Sequence, residues 1–164
     1  MRFTDVRHVP ATPEQVWAAL HDSDVLITAI PGCERLSPIG AGRYQATLAA
    51  RVGRLADTYR GTFAIDDTSP GSELVVSVTS RGRCGTLDLD LRVRLEDGCR
   101  PGTTALVYDA HARVGGLVAR LGRAPLTVAG GHITGCFFRG LEHALRVRSR
   151  AAATSPARVA VRTA

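Results

Sequence analysis

The sequence predicts an α+β domain in which a curved antiparallel sheet of about seven strands wraps around a long C-terminal helix, with two short helices after the first strand. Three observations carry this. The middle of the chain alternates apolar and polar residues with period two. The plainest case is "LDLDLRVRLED", where Leu87, Leu89, Leu91, Val93 and Leu95 take one face and Asp88, Asp90, Arg92, Arg94 and Glu96 the other. A capped helix start stands near the N-terminus. After residues 115–116 the period turns helical, with Ile133, Phe137, Leu141 and Leu145 in one stripe. A sheet with one dry face needs a cover, and that stripe can supply it.

The elements follow in order. "RFTDVRHV" is rich in β-formers and stops at Pro10, which reads as a first strand. In "TPEQVWAALHD", Thr12 is placed as an N-cap, Pro13 suits the first helical position and Gln15 completes a capping box. "SDVLITAI" continues as a second short helix with Ser23 as its cap, and Pro31 and Gly32 end it and turn the chain into a strand. Tyr44, Ala46, Leu48, Ala50 and Val52 alternate up to Gly53; Leu55, Asp57, Tyr59, Gly61, Phe63 and Ile65 alternate again down to "SPGS". "LVVSVTS", "LDLDLRVRLED" and, after the turn "DGCRPG", "TALVYDAHARV" complete the sheet. Glycine weakens a helix and Pro125 would break one, so 115–131 is expected to be kinked or mobile, a gate made by Gly115, Gly116, Gly122 and Pro125. The folded domain is expected to span 1–146 and a basic, disordered tail 147–164.

Composition narrows the function. A chain of 164 residues, 45% apolar and 22% charged, is one globular domain, and it holds no apolar run of the ~20 residues a membrane span needs. The N-terminus lacks the apolar centre of a secretory signal, so the expected location is cytoplasmic, with the four cysteines free. The net charge of +6 is unevenly placed: residues 1–145 are nearly neutral, while 146–164 carry five arginines and no acid. That pattern, without interleaved aromatic residues, does not suggest nucleic acid. It suggests instead peripheral contact of the tail with an anionic membrane at the inner face of the cell membrane.

No catalytic constellation emerges. There is no phosphate-binding glycine loop, and Cys33, Cys84, Cys99 and Cys136 form no CxxC pair, so neither a metal nor a cofactor is expected. His132 and Cys136 lie four apart, a spacing that is ordinarily a packing contact, and Cys33 is read as a packing thiol rather than a nucleophile. If Asp57 points inward it needs a partner, for which Arg60 or Arg113 could serve. Small residues recur instead where helix and sheet should meet, among them Ala46, Ala50, Gly61, Ala110, Ala129, Gly130 and Gly135. Poor filling there predicts a cavity. Its expected lining is Trp17, Leu20, Ile30, Tyr44, Leu48, Tyr59, Phe63, Leu89, Leu91, Tyr108, Leu117, Leu121, Phe137 and Phe138, with Tyr44, Tyr59 and Tyr108 as polar handles.

"PATPEQVWAALHDSDVLITAIPGCERL", "YQATLAARVGRLADTYRGTFAIDD", "GTTALVYDAHARVGGLVARLG" and "CFFRGLEHAL" together resemble the carbon monoxide dehydrogenase G-subunit family of the START-like, or polyketide cyclase-like, superfamily. The resemblance covers residues 1 to about 146, and "IPGCE" and "VGGLVARLG" are its most specific parts. It implies a helix-grip fold and an accessory protein of a molybdenum-containing carbon monoxide dehydrogenase or related hydroxylase, which helps place that enzyme at the membrane. Joined to the expected cavity, this suggests a carrier of an apolar quinone or lipid that docks on the enzyme through Pro31, Gly32, Cys33 and Glu34. Two alternatives stand beside it: a recruitment module with no ligand, and a cyclase-like enzyme using an inward acid or base.

Overall fold

Seven antiparallel strands form a single sheet in the order β1-β7-β6-β5-β4-β3-β2. The strands are β1 (Arg2–Val9), β2 (Cys33–Gly40), β3 (Arg43–Val52), β4 (Leu55–Ser69), β5 (Glu73–Arg81), β6 (Gly85–Asp97) and β7 (Thr104–Gly116). Between β1 and β2 lie α1 (Pro13–Leu20) and α2 (Ser23–Ala29); after β7, a short 3-10 turn (Val118–Leu121) leads into α3 (Arg123–Thr154). The computed structural model describes residues 1–154. This is the sheet wrapped around a terminal helix that the alternation predicts.

Register assigns the inner face. Across the sheet Val9 pairs with Thr104, Leu95 with Leu106, Leu91 with Ala110, Val78 with Leu89, Phe63 with Val78 and Tyr44 with Phe63, so these side chains share one side. Tyr108, on the same side of β7 as Leu106 and Ala110, lies 5.9 Å from the Phe138 ring, which shows that the face looks toward α3. Inner positions of the edge strand β1 include Asp5 and Arg7, paired at 3.1 Å, with the Arg7 guanidinium 5.5 Å above Phe138. Inward charge on an edge strand discourages further strand addition.

One end of the sheet is closed tightly. The capping box forms as expected: Thr12 accepts from the Gln15 amide and Gln15 accepts from the Thr12 amide, with Pro13 in the first turn. The second helix is capped by Asp22, which accepts from the amides of Asp24 and Val25, rather than by Ser23, because the aspartate precedes the turn and its carboxylate reaches both donors. Val16, Ala19, Val25 and Leu26 of this pair bury against Leu74, Val9, Phe138, Leu141 and Leu145. His21 ties the closure to β4, with Nε2 2.7 Å from Asp67 and Nδ1 2.9 Å from the Trp17 carbonyl. Thr104 seals the bottom by donating to the Ala11 carbonyl at 2.7 Å.

The long helix departs from expectation at both ends. Pro125 does not break it, since it stands in the first turn, where backbone N–H groups have no intrahelical acceptor to lose. Its C-terminal half continues to Thr154, so 147–154 is helix rather than tail, and Arg148 forms an ion pair with Asp22 of the α2 cap. The remainder of the tail, 155–164, lies outside the described residues. Gly140 lets α3 lie directly on α2: a Cβ there would stand 2.7 Å from the Ala29 Cα, whereas a Cβ on Gly131 would meet nothing within 4 Å.

Opposite outcomes are therefore expected from one chemical change. Gly131→Ala should raise stability by up to about 1 kcal/mol through helix propensity. Gly140→Ala should lower it by about 1–3 kcal/mol, because its methyl meets backbone that cannot move without opening the α2–α3 interface. Urea unfolding of the two variants beside the parent chain checks both signs.

Candidate functional site

Closure is confined to half of the inner face. The helices α1 and α2 cover only the end of the sheet near Leu74, Val93, Leu95 and Leu106, all buried. Toward the other end, Leu87, Leu89, Leu91, Val78, Phe63, Leu48 and Tyr44 are each half-buried although they lie on the same inner face. What overhangs them is the N-terminal half of α3, whose surface between 123 and 133 is mostly exposed, with Val128 at 74% and Ile133 at 45%. Tyr44, Phe63, Val78 and Leu91 still touch the margin of the core, and beyond them the half-covered face forms an open apolar trough, roofed by one helix and floored by leucine, valine and phenylalanine.

The trough differs from the enclosed hollow that small residues suggest. Gly130 closes its β1 side by letting the helix come down on the Phe3 ring, where a Cβ would stand 2.9 Å from Phe3 Cζ. Gly131 faces open space. Two clefts of defined volume lie elsewhere: one of about 410 Å³ beside Glu14 and the 97–103 turn, and one of about 400 Å³ lined by Ala49, Ala50, Arg51, Ala56, Asp57, Thr58 and Arg83.

The structure divides the expected lining residues. Leu48, Leu89, Leu91, Phe63, Tyr44 and Phe137 stand half-buried along the trough, and Tyr44 and Phe63 meet edge to face at 6.0 Å. Leu20 and Phe138 are core residues, and Ile30 packs against the same core. Trp17 sits at the closed end, its ring 4.7 Å from His21, away from the trough. Leu117 is 50% exposed and Leu121 half-buried at the turn that precedes α3. Tyr59 is buried, and burial first, with the neighbouring Asp57 charge second, raises its phenol above the ordinary value. Tyr108 remains half-exposed between Phe138 and β1.

The glycines expected to form a gate are held in place. Gly85 and Gly116 face each other at the end of the β6–β7 ladder, so closely that a Cβ on Gly116 would lie 2.6 Å from the Gly85 Cα. Gly115 packs on the Thr86 hydroxyl. Only Gly122, at φ 85°, acts as a joint, turning the 3-10 segment into α3. Behind them stands a carboxylate whose partners differ from the expected ones. Asp57 is buried, its side chain 2% exposed, and it accepts from the Cys84 amide at 2.6 Å and the Thr58 amide at 2.8 Å. The charge beside it is Arg83 at 3.9 Å rather than Arg60 or Arg113; Arg113 instead pairs with Asp90 on the outer face. The Cys84 amide above all, then the Thr58 amide and Arg83, hold this carboxyl below the usual range against the opposing effect of burial. The Cys84 carbonyl in turn accepts from the Val118 amide, so Asp57 anchors the β5–β6 turn and the start of the 3-10 segment together.

At the opposite side of the sheet, the "IPGCE" turn is a structural clamp. Gly32, at φ 76°, accepts from the Ala49 amide at 2.8 Å, and any side chain on it would run into the Ala49 carbonyl. A bulge between Cys33 and Arg35 leaves Glu34 unpaired and exposed, while Pro31 and Cys33 are half-buried. Burial pushes the Cys33 thiol up, which opposes a nucleophilic role. His132 and Cys136 do touch, at 3.5 Å, on an exposed part of α3. Asp109 is engaged by Arg2 at the sheet surface. Among the described residues, no three metal-ligating side chains come together. The β1 border of the trough holds residues outside the expected lining, and the signal for them is the alternation in "RFTDVRHV", which puts Phe3, Asp5 and Arg7 on the inner face beside Tyr108.

Comparison with known proteins places this geometry. The family model that describes the G subunit of carbon monoxide dehydrogenase (CoxG) matches residues 6–145. Among solved structures, a conserved protein from Geobacillus kaustophilus superposes with a TM-score of 0.84 at 25% identity, covering 89% of this chain and 95% of that one. A START superfamily protein from Mycobacterium smegmatis gives a TM-score of 0.68 at 14% identity over 90% of this chain and 98% of its own. The Zhui aromatase/cyclase from Streptomyces sp. R1128 gives 0.67 at 16% over 93% and 97%. The last two share the START-like fold with this chain. No curated protein matches the sequence.

The Asp57 anchor generates a pH prediction. A carboxyl whose folded value is depressed adds stability that is complete above its unfolded value, near 3.8, and disappears as pH falls through the folded value. Asp57→Asn should therefore melt below the parent at neutral pH, because an amide nitrogen would face one of the two backbone donors. The gap should narrow on acidification below about pH 4. Melting curves of both proteins from pH 7 down to pH 3 check this.

Proposed function

The chain belongs to the CoxG family, the G subunits of carbon monoxide dehydrogenase, and from that premise we propose that it is a non-catalytic accessory protein that holds an apolar molecule in its trough and serves a molybdenum-containing dehydrogenase or hydroxylase. The observation that carries the reading is the half-covered inner face. Leu87, Leu89, Leu91, Val78 and Phe63 are only half-buried by the chain, and none is replaced by a polar residue. Leaving that much apolar surface wet costs about 25 cal/mol per Å², which an apolar guest would recover.

The chemistry of the walls fits an elongated apolar molecule with a small polar end, as in an isoprenoid quinone or a lipid. Tyr108 and the Arg7 guanidinium stand together at the β1 border, and both can donate a hydrogen bond to a carbonyl or ester oxygen. The trough is open along its length, which suits loading and release better than storage. The cyclase-like alternative needs an inward acid or base free to act. Asp57 is committed to two amides, and Asp5 to Arg7. Docking through Pro31–Glu34 is supported by the bulge that presents Glu34 from a rigid turn. Among the described residues no helix is long and apolar enough to cross a membrane, so contact of these helices with a bilayer would be peripheral.

Organic extraction of the purified chain followed by mass spectrometry tests the reading. An apolar compound is expected in the parent protein, and it should be lost in Leu89→Arg, which places a cation on the trough floor while leaving the closed core intact. A clean blank from the parent across several preparations, or equal recovery from both proteins, would count against it.

A further inference from the structure

The same end of the sheet onto which the trough opens is charged in a way the net composition conceals. Three connections meet there: the β3–β4 turn, the β5–β6 turn, and the passage from β7 into α3. They carry Arg51, Arg54, Arg81, Arg83, Arg120 and Arg123, all exposed. Of these only Arg83 comes within 4 Å of a carboxylate among the described residues, and that carboxylate is the buried Asp57. Arg60 stands directly across the β4–β5 ladder from Arg81, a like-charge pairing that costs stability unless an anion relieves it. The cleft of about 400 Å³ lies in this region, with Arg51 and Arg83 on its walls and small residues, Ala49, Ala56 and Thr58, between them.

Two further features set the chemistry of the partner. Leu117, half exposed, projects from the β7–α3 passage among these arginines, and Val128 and Ile133 follow on the exposed half of α3. Cations interspersed with isolated large apolar side chains are the pattern of a surface that lies on an anionic lipid interface, the arginines at headgroup level and the apolar tips below them. The opposite end of the molecule mixes the two signs, with Asp22 paired to Arg148 and Glu96 to Arg94, so the run of arginines without exposed carboxylate partners belongs to the loop end alone among the described residues.

The geometry points to this loop end, rather than the basic tail, as the surface that seats the protein on an anionic phospholipid bilayer, with the trough opening toward the lipid. Seating does not depend on what the trough holds: empty and loaded protein should bind vesicles alike, so a failure here and a failure of the carrier reading are separately visible. The test is co-sedimentation of the full chain with phosphatidylcholine vesicles, with and without phosphatidylglycerol. Binding is expected only with the anionic lipid and should weaken as salt rises. The variant Arg54→Gln/Arg81→Gln/Arg120→Gln alters exposed side chains, and circular dichroism should show it folded. Its partitioning should fall on the order of a hundredfold. Leu117→Ser should weaken binding less, and Arg158→Gln/Arg162→Gln in the tail should leave it within a few-fold. Equal binding to neutral vesicles, undiminished binding by the triple variant, or loss confined to the tail variant would overturn the assignment. So would displacement by polyglutamate in preference to vesicles, which would mark an acidic protein as the partner.

Discussion

One helix covers one sheet unevenly, and everything else in this molecule follows from that. The C-terminal half of α3 is wedged between the sheet and the α1–α2 pair, where Leu141 is fully buried and Gly140 allows backbone contact with Ala29. The N-terminal half passes beyond α2 with no second layer behind it. Folding stability is concentrated at the first end, because that is where apolar area leaves water. The other end keeps its leucines available. A binding trough is in this sense what remains when a small domain places its helices over one half of its sheet.

Rigidity at the open end comes from polar and backbone contacts in place of a core. Asp57 holds the Cys84 amide, the Cys84 carbonyl holds Val118, and the facing glycines Gly85 and Gly116 draw β6 and β7 together. Such a frame fixes the rim while leaving the floor uncovered. It also bears on the division of labour. The carboxylate that would interest a cyclase is occupied in holding the frame, which agrees with an accessory role.

Much of the architecture is legible in the sequence because it rests on local rules. Strict alternation marks the strands, the capping box marks α1, and the stripe Phe137, Leu141 and Leu145 marks the helix that closes the core. What escapes is non-local. Trp17 is among the expected lining residues, yet it stands at the closed end against His21, whose imidazole reaches Asp67 of β4, a contact across the chain. The glycines at 115–116 suggest mobility, yet they are pinned by Gly85, which only the β6–β7 register reveals. Pro125 suggests a break because periodicity does not place the start of α3 to the residue. The basic end is the strongest instance: Arg54, Arg81 and Arg120 are far apart in sequence, and only the order of the strands gathers them.

Methyl NMR in the presence of a water-soluble paramagnetic agent, which cannot enter a packed core, measures the uneven cover directly. Strong broadening is predicted for the Leu87, Leu89 and Ile133 methyls in ligand-free protein, with those of Leu74, Leu141 and Leu145 untouched. Equal protection of both groups would mean that the chain fills its own trough, and would contradict a sheet left half uncovered.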